Sequence, residues 1–295
     1  MKFVKAVRVA GGLGSQMMAY GLFLALKKKF GNDVFFDTGL FQKNHQHNGL
    51  EIYKIFGIEP EIQHSFLTKI INSDFILYKL IRKVFIKKRT MFANKIKFNY
   101  DSEVFEDNNI ILYDQCWTSY KFFESVEDEV RNLFVFPDLV GSKNKTIRDE
   151  IGVTESVSLH VRRGDYLNSP VLGGVVGVSY YKQAIQLVYR KIKKPKFYIF
   201  SDDITWCKSE LGIKKEDCKF IDWNKGDLSF QDMFLMSRCK HNIIANSSFS
   251  WWGAYLNSNK SKIVICPKYW AGKASGVELS DMNMPEWIEI NNSSN

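Results

Sequence analysis

What this 295-residue sequence lacks narrows its class before any motif does. No stretch reaches the roughly 20 uninterrupted apolar residues of a helical membrane span, so that architecture is excluded. The opening residues carry Lys2, Lys5 and Arg8 where a secretory leader needs an apolar core, and a cytoplasmic protein is expected. Cysteine is sparse: Cys116, Cys207, Cys218, Cys239 and Cys266 are odd in number, scattered and without CxxC spacing. Reduced core thiols fit that pattern, and a zinc site has little basis. His45 and His47 have no cysteine or carboxylate companion at ligand spacing and read as loop residues rather than a metal pair. No RNP, helix-turn-helix or zinc pattern accompanies the positive charge, so no specific nucleic-acid binding is expected. Internal repeats and low-complexity tracts are absent as well.

What is present suits a globular protein of two ordinary domains. Apolar residues make up 45% and aromatics 15%, enough for sizeable cores. The net charge of +9 points to acidic partners such as phosphates, nucleic acid or a membrane surface without choosing among them. Strand-like runs at 5–10, 34–37 and 109–115 alternate with helical patterns ending near Lys29 and covering 124–134. A polar stretch at 141–145 has linker character, which places a boundary near 138–155 and domains at 1–150 and 151–295. Beyond it, strands are expected at 157–162, 197–200, 220–223, 242–246 and 262–266, with helices between them. One helix starts near Tyr180 and is stopped by Pro195; Ser229 and Asp232 have the spacing of a capping box for another. Such alternation predicts an α/β fold with doubly wound parallel sheets, the first half a looser version of the second, and two domains facing across a cleft.

Several strand-to-helix junctions carry chemistry. Residues 157–161 alternate with period two, so Val157, Leu159 and Val161 share one face, while Ser158, His160 and Arg162 share the other. His160, Arg162, Arg163 and Asp165 then stand at the strand's carboxyl end, where ligands of open α/β sheets bind, and Gly164 lets the backbone turn. Gly11, Gly12, Gly14 and Ser15 lead a strand into a helix, which is either an anion site or a tight turn of small residues; the pattern is neither GxGxxG nor a P-loop. Asp202 and Asp203 end another strand, placed to hold a divalent ion, to accept from ribose hydroxyls or simply to cap a helix. The arginine pair favours ribose, because fixed cations already supply what a metal would. Ser247, Ser248 and Ser250 open a helix and offer hydroxyls and N–H groups to a phosphate, or serve as caps. Asp232 has two acceptor oxygens for a cap or a base edge. Segment 69–97 is unusual, with nine Lys/Arg against the single acid Asp74. It reads as a basic amphipathic helix, lying on an anionic membrane or packed on its own domain with solvated lysines.

Taken together, Gly11-Gly12-Leu13-Gly14 with Gln16-Met17, the run His160 to Tyr166, Asp232 to Ser237 with Cys239-Lys240-His241, and Ala245 to Gly253 with Trp251-Trp252 resemble the motifs of the α-1,2-fucosyltransferases, glycosyltransferase family 11. The resemblance implies a GT-B fold whose C-terminal domain holds GDP-β-L-fucose and whose N-terminal domain faces the acceptor. It implies inverting transfer to a galactose 2-hydroxyl with no metal or other cofactor. Arg162 looks like the arginine that grips the β-phosphate, supported by Arg163, with His160 beside the reacting centre. By looser similarity Asp202 and Asp203 meet the ribose and Asp232 the guanine. Ser15 departs from the family's usual Asn and lacks the amide's paired donor and acceptor, which weakens acceptor inference from relatives. For the proton lost by the acceptor hydroxyl, His160 and Asp165 are the candidate bases, His160 preferred. The acceptor expected is a galactose-containing oligosaccharide, with a lipid-linked one as the form that membrane contact through 69–97 would serve. Two rivals stand beside this reading. One is a fucosyltransferase of another linkage. The other is a non-catalytic glycan-binding protein using the seven tryptophans as platforms.

Overall fold

The structure is a computed structural model that describes the chain except residues 1–3, 44–46, 59–64, 91–99, 107–108, 115–116, 273–274, 276–278, 280 and 293–295, together with the side chains of 42–43, 65–67 and 89–90. The chain forms two compact units, Met1–Pro137 and Asp138–Asn295.

The first unit contains β1 (Lys5–Arg8), α1 (Leu13–Phe30), β2 (Val34–Asp37), α2 (Gly39–Lys43), α3 (Glu51–Phe56), α4 (Ser65–Asn72), α5 (Ile76–Phe85), β3 (Lys87–Thr90), β4 (Ile111–Asp114) and α6 (Glu127–Leu133). Its four strands are all parallel, in the order β2-β1-β4-β3. Parallel strands covered on both faces lose their polar alternation; β2 and β4 are accordingly buried along their whole length. Helix α1 is apolar nearly all round from Leu13 to Leu26, as a helix enclosed by its own domain must be. Lys27, Lys28 and Lys29 then meet its negative dipole end. The basic segment departs from expectation. It is not one helix but the end of α4, then α5, then β3, with 91–99 outside the described residues. Arg82 ties the two helices together: its guanidinium donates to the carbonyls of Ile70 and Ile71 at the end of α4.

The second unit contains α7 (Ser142–Val153), β5 (Glu155–Val161), α8 (Val178–Lys191), β6 (Pro195–Ser201), α9 (Ile204–Glu210), β7 (Cys218–Ile221), α10 (Phe230–Arg238), β8 (His241–Ile243), α11 (Ser248–Tyr255), β9 (Val264–Pro267) and β10 (Ile288–Ile290). Its six parallel strands run in the order β10-β9-β8-β5-β6-β7. Numbered within the unit from the β7 edge, that is 3-2-1-4-5-6, the Rossmann order, and it reverses between β5 and β8. The α/β architecture of two Rossmann-like units, the parts of a GT-B protein, is therefore present.

The period-two reading of β5 holds. Val157, Leu159 and Val161 pack with Phe197, Ile199 and Ile243 against Tyr181, Ala184 and Val188 of α8. On the other face Ser156 accepts from the Lys240 amide, and Ser158 accepts from Asn242. Three local expectations fail for identifiable reasons. Residues 141–145 are no linker but the start of α7, whose Asn144, Ile147 and Ile151 face inward at helical spacing amid otherwise polar residues. Pro195 does not stop α8; it opens β6, where a missing N–H is tolerated. Ser229 makes no side-chain cap bond, because its own backbone is helical and the Asp232 amide donates to its carbonyl, while the Asp232 carboxylate accepts from Asn224. Cys207, Cys218, Cys239 and Cys266 are free and buried, while Cys116, His45 and His64 lie outside the described residues.

Candidate active site

The reversal point of the six-stranded sheet carries the arginine turn. Val161 of β5 pairs with Ser201 of β6, so the residues leaving each strand are neighbours. Asp202 uses that adjacency fully: its carboxylate accepts from the Arg163 amide at 2.9 Å and the Gly164 amide at 3.1 Å, and pairs with Arg162 Nη1 at 3.1 Å. A Cβ on Gly164 would stand 2.9 Å from that carboxylate, so the turn needs glycine for close approach. Arg162 also reaches Asp165 at 2.8 Å, a partner more than half exposed. Arg163 is held differently. Its Nε donates to Asp203 at 3.0 Å, and its guanidinium lies 4.3 Å from the Trp206 ring centre. Asp203 in turn accepts from the Trp206 amide and caps α9; that amide and Arg163 hold its carboxyl below the usual range. Both aspartates thus engage guanidinium or backbone N–H groups.

His160 and Tyr166 flank the turn. Burial, aided by the Arg162 charge, lowers the His160 pKa to about 3, so the imidazole is neutral at physiological pH. Its Nδ1 is buried without a hydrogen-bond partner among the described residues, and its ring lies 5.8 Å from that of Phe249. Tyr166 lies under Arg162, with the guanidinium 5.7 Å from its ring centre, and hydrogen-bonds the Ser247 side chain; burial pushes its phenol up. The sequence motif contained Tyr166, but nothing in its spacing assigned it this bracing role.

Helix α11 supplies the third wall. Ser247 is its extended N-cap residue and makes no side-chain cap, and the first-turn N–H groups of a helix lack intrahelical acceptors. Ser248 is half-buried at this end. Ser250 is not available to a ligand: its buried hydroxyl donates to the Ser247 carbonyl and accepts from the Ala245 amide, shaping the turn. Trp251 and Trp252 are wholly buried. Asp232 stands in the first turn of α10. Asn224 donates to it at 2.7 Å, in a network with Asn144 and Trp223. Burial raises the Asp232 pKa to about 7, with nearby Asp222 adding to the effect.

The glycine turn belongs to the first unit. Gly11 has φ +80, and the extended Gly12 begins α1 without a side-chain cap. Gly14 is buried and Ser15 half-buried. Gln16 ties the turn to α3, donating to the Gly11 and Gly49 carbonyls and accepting from the Glu51 and Ile52 amides. His47 is an exposed loop residue with φ +50 whose ring lies against Gly12. Sequence reasoning missed the network at the carboxyl edge of this sheet. Arg8 binds Asp37 at 2.9 Å, Asn72 at 3.1 Å and the Ile71 carbonyl, and Asp114 takes Lys88 at 2.6 Å. These residues stand far apart in sequence and share no motif; only strand order brings them together.

The sequence pattern of glycosyl transferase family 11 matches residues 4–291. An Escherichia coli alpha-1,2-colitosyltransferase is 31% identical over 97% of this chain and 99% of that protein. The Escherichia coli O-antigen biosynthesis glycosyltransferase WbnK is 38% identical over 46% of this chain and 44% of its own length. A galactoside alpha-(1,2)-fucosyltransferase 1 from Plecturocebus brunneus is 26% identical over 59% of this chain and 50% of that protein. A glycosyltransferase fold, an arginine turn at the reversal of a Rossmann sheet and a family pattern along almost the whole chain lead to one assignment: this chain belongs to glycosyl transferase family 11.

Proposed function

We propose that the protein transfers L-fucose from GDP-β-L-fucose to the 2-hydroxyl of a galactose-containing glycan, with inversion and without a metal. One observation carries this reading. Arg162 stands at the reversal of the six-stranded sheet beside the start of α11, held by Asp202, with one further partner, Asp165, exposed to exchange. A fixed guanidinium and helix N–H groups together suit a diphosphate. Relatives named for α-1,2 transfer support the linkage, and the name of one supports a galactoside acceptor.

In this reading the β-phosphate replaces Asp165 on Arg162, and Arg163 is kept in place by Asp203 and Trp206. Asp202 and Asp203 act on the donor chiefly through the arginines they hold, with their remaining acceptor capacity directed to the ribose. As the fucose–phosphate bond lengthens, negative charge gathers on the phosphate and positive charge on the sugar. Arg162 stabilises the former, and such a contact is worth about 100- to 1000-fold in rate. Ser247 and Ser248 add donors at the start of α11, and Asp232 accepts from guanine in its ionised form. Neutral His160 is the preferred acceptor of the proton from the acceptor hydroxyl. A bound diphosphate opposes the Arg162 charge and raises the imidazole's affinity for that proton; Asp165 is the alternative acceptor. The Gly12-Leu13-Gly14-Ser15 turn is a separate candidate anion site of the first unit.

A second donor has a specific observation behind it, since the relative matched along almost its whole length is named a colitosyltransferase. Colitose lacks the 3-hydroxyl of fucose, so the same diphosphate site would serve either sugar. The test is transfer assays in EDTA with GDP-fucose and GDP-colitose on a β-galactoside, with the product linkage read by NMR. An α-1,2-fucosylated product supports the proposal, and preference for GDP-colitose moves it to the second donor. A strict need for added Mn²⁺, or a different linkage, overturns it. The glycan-binding alternative loses five of its seven platforms, because Trp117, Trp251, Trp252, Trp270 and Trp287 are buried, and the half-buried Trp206 and Trp223 are engaged by Arg163 and Asn144.

A further inference from the structure

Helix α5 presents its apolar residues in the wrong direction for a helix serving only its own domain. Tyr78 and Ile81 pack toward a core that includes Ile70, Ile71 and Leu112, and Arg82 is committed to the end of α4. Those three form the inward face. Ile76, Leu77, Leu80 and Val84, spaced i, i+1, i+4 and i+8, form the opposite face and remain 54–72% exposed. Phe75, just before the helix, and Phe85, at its end, are also more than half exposed. Single exposed apolar residues are ordinary, but a contiguous stripe on one helix marks an interaction surface.

The charges beside the stripe identify what covers it. Lys79 and Lys83 lie one turn apart along its border, and exposed Lys69 and Lys87 stand on the neighbouring α4 and β3. Asp74 is the acid of the segment, and its contact with Lys79 is long, at 3.9 Å between exposed groups. A bilayer with anionic headgroups offers hydrocarbon to the stripe and negative charge to lysines that can keep their ammonium groups at headgroup level. Among the described residues no helix is long and apolar enough to cross a membrane, so the contact is with the surface. We infer that the outward face of α5 docks the protein on an anionic membrane surface. The docking is independent of the chemistry at Arg162, and it would hold the enzyme where acceptors built on lipid carriers are found.

The test is co-sedimentation of the full chain with vesicles of phosphatidylcholine alone and with vesicles of phosphatidylcholine and phosphatidylglycerol in equal parts. The wild type is expected to pellet with the anionic vesicles at low salt and to be released as salt rises. Lys79→Glu/Lys83→Glu should weaken binding more than tenfold, since each lysine near such a surface contributes about fivefold. Leu80→Ser/Val84→Ser should weaken binding at every salt concentration. Both pairs are exposed, and unchanged thermal unfolding shows that the variants are folded. Three results overturn the inference: no pelleting of the wild type, equal pelleting with both vesicle types, or pelleting unaffected by either pair. Self-association without vesicles that Leu80→Ser/Val84→Ser removes would also overturn it, assigning the stripe to a second copy of the chain.

Discussion

Two arginines stand at the carboxyl ends of parallel strands in this chain and do opposite work. Arg8 ends β1 with its side chain 12% exposed, and its donors are taken by Asp37, Asn72 and a carbonyl. Arg162 follows β5 with its side chain 32% exposed; one partner, Asp202, is itself pinned by two backbone amides, while the other, Asp165, is half in water. A guanidinium whose partners are all buried is part of the scaffold. One with a fixed partner behind it and an exchangeable partner in front is ready for an anion. Placement at a strand end does not separate these cases; the depth and fixity of the partners do.

The comparison can be broken at either end. Arg8→Ala should produce the largest loss of stability, about 3–5 kcal/mol, because it takes the cationic partner from the buried Asp37 and leaves Asp114 to Lys88 alone. Adding Asp37→Asn and Asp114→Asn should recover part of that loss in denaturant unfolding. Arg162→Ala should leave unfolding nearly unchanged while abolishing GDP binding and lowering turnover about 100- to 1000-fold. If Arg162→Ala proves the more destabilising of the two, Arg162 is the scaffold residue and the contrast with Arg8 fails. Asp202→Asn should loosen the turn and weaken GDP binding. Asp165→Asn removes a competitor and should tighten GDP binding by a factor of less than about five, the scale of an exposed ion pair.

Two titrations should show opposite slopes. With the Asp232 pKa raised from 3.8 to about 7, the folded protein holds a proton there that the unfolded chain has lost. Stability from this group therefore falls as pH rises between those values, and Asp232→Asn should flatten that slope. GDP affinity should move the other way, strengthening as pH rises through about 7, because guanine N–H donors need the ionised carboxylate; Asp232→Asn should remove that dependence. With the His160 pKa lowered from 6.5 to about 3, the unfolded chain binds the extra proton. Its contribution to stability therefore rises with pH across that window, and His160→Gln should remove the rise.

The second unit was largely legible in the sequence; in the first, β1, α1, β2, β4 and α6 were legible, but the segment between β2 and β4 was not. Strand β5 and helix α8 announce themselves because their apolar residues follow a regular period, β6 and β9 because they are short apolar runs, and the arginine turn because it is contiguous in the chain. The short helices α2 to α4 carry no such signal, and the polar surface of α7 hides three inward residues. Strand β3 reads Lys-Lys-Arg-Thr and, among the described residues, joins the sheet through its pairing with β4. Site residues followed the same rule. Contiguous motif residues were found, whereas Asn224, Trp206 and the Arg8–Asp37–Asp114 group depend on strand order. Ser250 resembled a ligand because it opens a helix, but its hydroxyl closes the turn that positions that helix.

The central claim is that Arg162 faces a nucleoside diphosphate. Calorimetric titration of the full chain with GDP in EDTA, comparing wild type with Arg162→Ala at matched thermal stability, tests it most directly. The account predicts saturable binding by the wild type and none by the variant. Equal binding by both proteins, or none by the wild type until Mn²⁺ is added, would contradict it.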